Sequence, residues 1–120
     1  RRKYTWHVSF PLDIDKMRTA AEYLKGEHDF RSFCSIHTGA ATTVRTVYML
    51  DIGKTGDEIV IRISGNGFLY NMVRIIAGTL TEVGRGFRTP ENVKKILEAE
   101  EREKSGATAP PQGLTLISIE

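Results

Sequence analysis

The chain has 120 residues, 40% of them hydrophobic and 27% charged, with a formal net charge of +2. That length supports one domain with its own core, and the composition is that of an ordinary globular protein. No apolar run approaches the roughly 18 residues a membrane-spanning helix needs, and the single cysteine, Cys34, excludes an internal disulfide.

A lone cysteine fits a reducing, cytoplasmic setting. It could also be a nucleophile, but among Ser32, Phe33 and Ser35 it has no evident partner base, so a structural role is the better reading. The basic start, Arg1-Arg2-Lys3, leads into alternating residues rather than an apolar signal core, and there is no initiator Met. The sequence is therefore expected to be part of a longer protein. Charge is uneven: residues 1–49 hold eight basic and five acidic groups, residues 87–120 five and six. That makes the N-terminal half the better candidate for a phosphate-facing surface, although on charge alone ordinary scatter is the preferred reading.

In chain order, residues 2–10 alternate and predict a strand closed by Pro11. From Asp13, a capping residue, the period changes to that of a helix. Ile14, Met17, Ala20, Ala21 and Leu24 share one stripe, and Gly26 supplies an end. Residues 27–42 show no sustained period and read as a loop anchored by Phe30 and Phe33. Thr43 to Ile52 is β-branched, Lys54 to Asp57 reads as a turn, and Glu58 to Ser64 returns with Ile59, Ile61 and Ile63 on one face. Gly65-Asn66-Gly67 breaks that strand, and a long helix is predicted from about Phe68 to Val83, stopped by Gly84 and Gly86. Thr89-Pro90-Glu91 opens another helix, whose Glu98 to Lys104 charge run is its solvated end. An extended loop at 109–113 leads to a last strand of Leu114, Leu116, Ile117 and Ile119. The order β-α-β-β-α-α-β around a tight hairpin predicts an α+β fold, an antiparallel or mixed sheet with helices packed on one face.

Self-contained chemistry is hard to find. Gly65-Asn66-Gly67 and Gly84-Arg85-Gly86 lack phosphate-loop spacing, and His7, His28 and His37 lack metal-ligand spacing. His28-Asp29 could be a base and its orienter, but neighbours in sequence seldom face each other, so a structural loop role is favoured. The informative segment is the long helix. Asn71, Arg74, Gly78 and Thr81, spaced three, four and three, form one polar, small stripe between apolar rows. Glycine inside a helix costs about 1 kcal/mol relative to alanine, so Gly78 suggests a close approach. Arg74 would then project a planar fork of donors suited to a carboxylate or a phosphate. On physics alone, a structural ion pair for Arg74 stands level with a functional one.

The run from Phe68 to Leu80, Phe-Leu-Tyr-Asn-Met-Val-Arg-Ile-Ile-Ala-Gly-Thr-Leu, continuing Glu82-Val83-Gly84-Arg85-Gly86, resembles the signature helix of TruA-type pseudouridine synthases. Four other stretches fit in order: Trp6-His7-Val8, Gly26 to Phe30 with Ser32-Phe33, Thr43 to Val47, and Thr108-Ala109-Pro110 before Gly113-Leu114. The resemblance covers essentially the whole chain and implies the C-terminal domain of an enzyme that isomerises uridine to pseudouridine in the tRNA anticodon stem-loop, at positions 38–40. It implies no cofactor and no metal, and a homodimeric whole protein. The catalytic aspartate of such enzymes lies in an Arg-Thr-Asp-type motif that this sequence lacks, since no aspartate here follows Arg-Thr or Arg-Ala. Matched by motif, Arg74 is the arginine that pairs with that aspartate. Leu114, or its neighbour Leu116, lines the uracil pocket with Phe68, and Arg45, Asn71, Arg85 and Arg31 are candidate RNA contacts. A plain core role for Phe68, Leu114 and Leu116 remains open. So does a silent RNA-binding or dimerisation module of the same fold.

Overall fold

The computed structural model describes residues 2–8, 12–34, 42–55, 58–68, 71–100 and 114–119. Strand β1 is Arg2–Val8, helix α1 Ile14–Leu24, strand β2 Gly26–Asp29, and a single 3₁₀ turn spans Arg31–Phe33. Strands β3, Val44–Thr55, and β4, Glu58–Gly65, form the hairpin. Helices α2, Met72–Gly84, and α3, Pro90–Ala99, precede strand β5, Leu114–Ile119. The sheet runs β2-β3-β4-β1-β5, and all four of its ladders are antiparallel. The expected α+β class holds, with the antiparallel form rather than the mixed one.

The first strand of the chain lies inside the sheet, between β4 and β5. Its register sets Trp6 opposite both Ile61 and Leu114, and Tyr4 opposite both Ile63 and Leu116. One face of the sheet carries the core: Leu50, Ile52, Ile59, Ile61 and Ile63 join Met17, Leu24, Phe30, Phe33, Ile75, Ile76, Leu80 and Ile96 in one buried cluster. Each such aliphatic or aromatic side chain removed from water contributes roughly 1.5–3 kcal/mol before chain entropy is counted. The opposite face of β4 alternates as its period demands, with Arg62 exposed, yet Val60 and Ser64 on that side are buried too. Ser64 Oγ has no hydrogen-bond partner among the described residues.

The caps follow the sequence. Asp13 Oδ1 accepts from Lys16 N–H at 3.1 Å and starts α1. Thr89 Oγ1 accepts from Asn92 N–H at 3.2 Å and starts α3 behind Pro90. Helix α2 closes with Gly86 at φ +84°, Gly86 N–H donating to Val83 O and Phe87 N–H to Glu82 O, the paired bonds of a Schellman end.

Three expectations are corrected. Residues 27–42 are not all loop. Gly26–Asp29 pairs with Val44–Val47 as an edge strand, which its charged composition hides because β3 supplies the hydrogen bonds. The long helix starts at Met72 rather than Phe68, because Asn71 sits in the left-handed region at φ 61° and cannot be an interior helical residue. The hairpin strands extend to the pair Thr55↔Glu58, so the connection is tighter than the predicted four-residue turn. The predicted loop at 109–113 and the charges 101–104 lie outside the described residues.

Gly84 fixes the crossing of α1 and α2. Asp13 N–H donates to Gly84 O at 2.9 Å, and a Cβ at Gly84 would fall 2.7 Å from Met17 Sδ and 2.9 Å from Leu12 Cβ. Overpacking of this kind costs about 1–3 kcal/mol, while the helix-propensity gain from glycine to alanine returns only about 1 kcal/mol. Gly84→Ala is therefore expected to lower the urea midpoint of unfolding. Gly53→Ala, where a Cβ meets nothing within 4 Å, is expected to leave it unchanged or raise it.

Candidate functional site

Thirteen residues of α2 divide sharply by burial. All are buried except Arg74, Gly78, Thr81 and Glu82, which are half-buried, as is Asn71 at the cap. The stripe read from spacing is thus the one open line on a helix otherwise enclosed by core. At its head, Arg74 donates from Nη1 to Asn71 Oδ1 at 3.2 Å. The left-handed backbone of Asn71 leaves its side chain without a capping bond and turns it to Arg74 instead. The planar guanidinium fork carries donors of the kind that suit an anion.

Just before this helix, the chain leaving β4 forms one wall of an open cleft of about 620 Å³, lined by Thr42, Val44, Arg45, Asn66, Gly67 and Phe68. Asn66 builds it. Its side-chain Oδ1 accepts from Thr46 N–H at 2.9 Å and its own N–H donates to Thr46 O at 3.1 Å, continuing the β3–β4 ladder past the bulge between Val47 and Met49. Phe68 packs on the core edge, and its ring would lie 3.4 Å from a Cβ at Gly65, whose nearest neighbour would be Thr46 O at 2.6 Å. It is the backbone oxygen of Thr46, not the ring, that leaves no room for a Cβ at Gly65. Arg45 bends over the rim, its Nη1 donating to Thr42 O at 2.8 Å and Val44 O at 2.7 Å. Those bonds occupy one nitrogen of the fork. The cleft is polar, cationic and walled on one side by an aromatic ring.

The structure thus brings Arg45 and Phe68 into one cleft and sets Asn71 and Arg74 on the helix that follows it. It does not bring the others there. Arg85 follows the far end of α2, about 16 Å along the axis from Arg74. Arg31 lies in the 3₁₀ turn, exposed, its N–H donating to Asp29 Oδ1. Leu114 and Leu116 lie on edge strand β5, three strands from β3 and so roughly 14 Å from Arg45 across the sheet.

His28 and Asp29 do not form a catalytic pair. His28 Nε2 meets Lys25 O at 2.7 Å and its ring stands edge-on to Phe30, while Asp29 accepts from the Thr43 hydroxyl. Burial pushes the Asp29 carboxyl up, but the hydroxyl of Thr43, a hydrogen bond from Glu100 and the N–H and charge of Arg31 outweigh it and hold the group below its ordinary value. The same contact with Asp29 raises Glu100. This cluster ties the end of α3, where Glu100 sits at φ 54°, to β2 and β3. Cys34 is buried with Sγ 3.5 Å from Arg31 O, a packing position. Among the described residues no group of three or more His, Cys, Asp or Glu could hold a metal ion, and no helix is long and apolar enough to cross a membrane.

Sequence reasoning missed Asn66 and Thr42. The Gly-Asn-Gly triplet was a visible signal, but it read only as a strand break. Its two bonds to Thr46 depend on a strand twenty residues earlier in the chain.

Comparison with known proteins adds three findings. The family model described as "tRNA pseudouridine synthase" matches residues 20–120. A protein of Brevibacillus brevis named tRNA pseudouridine synthase A is 59% identical over 119 residues, covering 99% of this chain and 49% of that protein. Proteins of the same name from Thermoanaerobacter sp. and Bacillus subtilis are 53% and 50% identical, over 98% and 99% of this chain and 48% of each relative. The chain spans about half the length of the curated relatives it matches.

The Asp29 cluster sets an acid limb on stability. A carboxyl lowered in the folded state stabilises the fold above its unfolded value and loses that contribution as pH falls through the folded one. Thermal melts from pH 7 downward are expected to show this loss in the wild type and a smaller one in Asp29→Asn. Glu100, raised when folded, has the opposite sign: its contribution is present at low pH and is lost as pH rises.

Proposed function

We propose a function for this chain from one premise: it belongs to the tRNA pseudouridine synthase family. The whole protein converts uridine to pseudouridine in tRNA, in the anticodon stem-loop at positions 38–40, and acts in the cytoplasm as a homodimer. This chain is its C-terminal half, which holds and orients the reaction without carrying the nucleophile. The absence of any aspartate after Arg-Thr or Arg-Ala supports that division.

The observation that carries the reading is Arg74 on the one open stripe of α2, held by Asn71 at the mouth of the helix. Its role is to face the catalytic aspartate supplied by the other half of the protein. A fixed cation keeps that carboxylate ionised and aimed at the sugar carbon whose bond to the base breaks and re-forms, with carbon replacing nitrogen. Phe68 gives apolar wall at the cleft beside α2, Leu114 or Leu116 on edge strand β5 is assigned to the uracil pocket by the family resemblance alone, and the base must leave its stack to reach it. Arg45, Asn71, Arg85 and Arg31 contact the RNA backbone, positioning the substrate by shape and charge rather than by sequence.

Two experiments test this in the full-length protein. Arg74→Ala is expected to lower kcat by about a hundredfold or more while changing the Kd for unmodified tRNA less than threefold; an equal loss of binding would make Arg74 a phosphate contact instead. Arg45→Ala is expected to weaken tRNA binding and to reduce the slope of log K against log salt by about 1. The isolated chain is expected to form no pseudouridine, and turnover by it would place the chemistry here.

A further inference from the structure

The end of α2 carries a feature that catalysis at Arg74 does not use. Phe87 is 67% exposed, the most open of the large apolar residues described. It follows the left-handed Gly86, and its N–H is bound to Glu82 O at 2.9 Å. An apolar residue at this point of a Schellman end commonly folds back onto the last helical turn. Here the ring stands out instead, with the Arg85 guanidinium carbon 4.9 Å from its centroid. One side of the ring is covered by a cation, and the remaining surface is open.

Beside that ring is a second open cleft, of about 440 Å³, lined by Glu82, Phe87, Arg88, Thr89 and Asn92. Apart from Phe87 its lining is polar, and it is braced. Arg88 donates from Nε to Glu82 Oε2 at 3.2 Å and from Nη1 to Asn92 Oδ1 at 2.9 Å. An aromatic face with a ready-made polar border, in which Glu82 balances Arg88 and Arg85 adds a further cation, suits a flat, hydrogen-bonding, anion-linked group. A protein partner seeking to bury Phe87 would instead want an apolar surround.

We infer that Phe87, backed by Arg85 and bordered by Arg88 and Asn92, is a stacking platform for an unpaired nucleobase of the RNA substrate. The base lies against the open side of the ring with its edge toward Asn92 and Thr89, and its phosphate lies toward the Arg85 guanidinium, since Arg88 is already paired with Glu82. The platform lies about 16 Å along α2 from Arg74, so it holds a nucleotide other than the one being isomerised. It rests on the tRNA reading above and adds a second, separate anchor to it.

The test uses the full-length protein and an unmodified tRNA transcript, with Phe87→Ala, Phe87→Leu and Phe87→Trp. Stacking on an aromatic side chain is sequence-tolerant and strong enough that its loss weakens binding by about fivefold to a hundredfold. Phe87→Ala and Phe87→Leu are both expected to raise Kd and KM by that factor, with kcat at saturation within about twofold. Phe87→Trp is expected to restore both constants. Phe87 is exposed, so the thermal midpoint is expected to stay put, which separates a lost contact from a lost fold. Wild-type binding by Phe87→Leu would overturn the inference, as would conversion of a dimer to a monomer by Phe87→Ala. If wild-type protein turns over tRNA while Phe87→Ala matches it in Kd and KM, only the platform falls. If the wild type neither binds nor modifies tRNA, the functional reading falls with it.

Discussion

A helix with nine of its thirteen residues buried has very little surface left to offer. In α2 that remainder is a single line, Arg74, Gly78, Thr81 and Glu82, and its position is dictated by everything packed around the other sides. The α1 crossing at Gly84 pins the C-terminal end, through a backbone hydrogen bond and a contact that leaves no room for a Cβ. The left-handed turn at Asn71 pins the other end. Between these two fixed points the helix cannot roll, since rolling would carry a charged group into the core at a cost of several kcal/mol. The orientation of Arg74 is therefore a consequence of core packing.

The same rigidity organises both ends of the helix. At the start, the chain leaving β4 is tied to β3 by Asn66, which replaces a ladder rung with its own amide, and by Gly65, whose missing Cβ lets the Thr46 backbone oxygen approach. At the end, a Schellman closure holds Phe87 out in solvent under Arg85. A functional surface built on preorganised backbone loses little entropy when it meets a ligand. Polar clusters elsewhere, such as Asp29 with Thr43 and Glu100, join elements of the fold, in keeping with the structural role favoured for His28-Asp29 from the sequence.

What the sequence by itself determined was local. The period of α1, the caps at Asp13 and Thr89, the alternating isoleucines of β4 and the polar stripe from Asn71 to Thr81 all depend on residues within a few positions of one another. Short-range geometry is readable without a fold because a helix or strand fixes its own neighbours. The family resemblance was legible for the same reason, since it rests on contiguous motifs.

Tertiary structure decided whatever depended on residues distant in the chain. Strand β2 exists because β3 pairs with it, and no periodicity in Gly-Glu-His-Asp announces that. Strand β1 lies inside the sheet, between β4 and β5, by a choice of order that local pattern does not encode. The cleft joining Arg45 to Phe68 needed the hairpin to close and Asn66 to reach Thr46. The exposure of Phe87 needed the α2 end to turn its ring outward. The stripe on α2 was visible as spacing from the start. That it is the only open line on its helix, and so the only route by which Arg74 reaches outward, followed from the packing of the rest of the chain against the other sides.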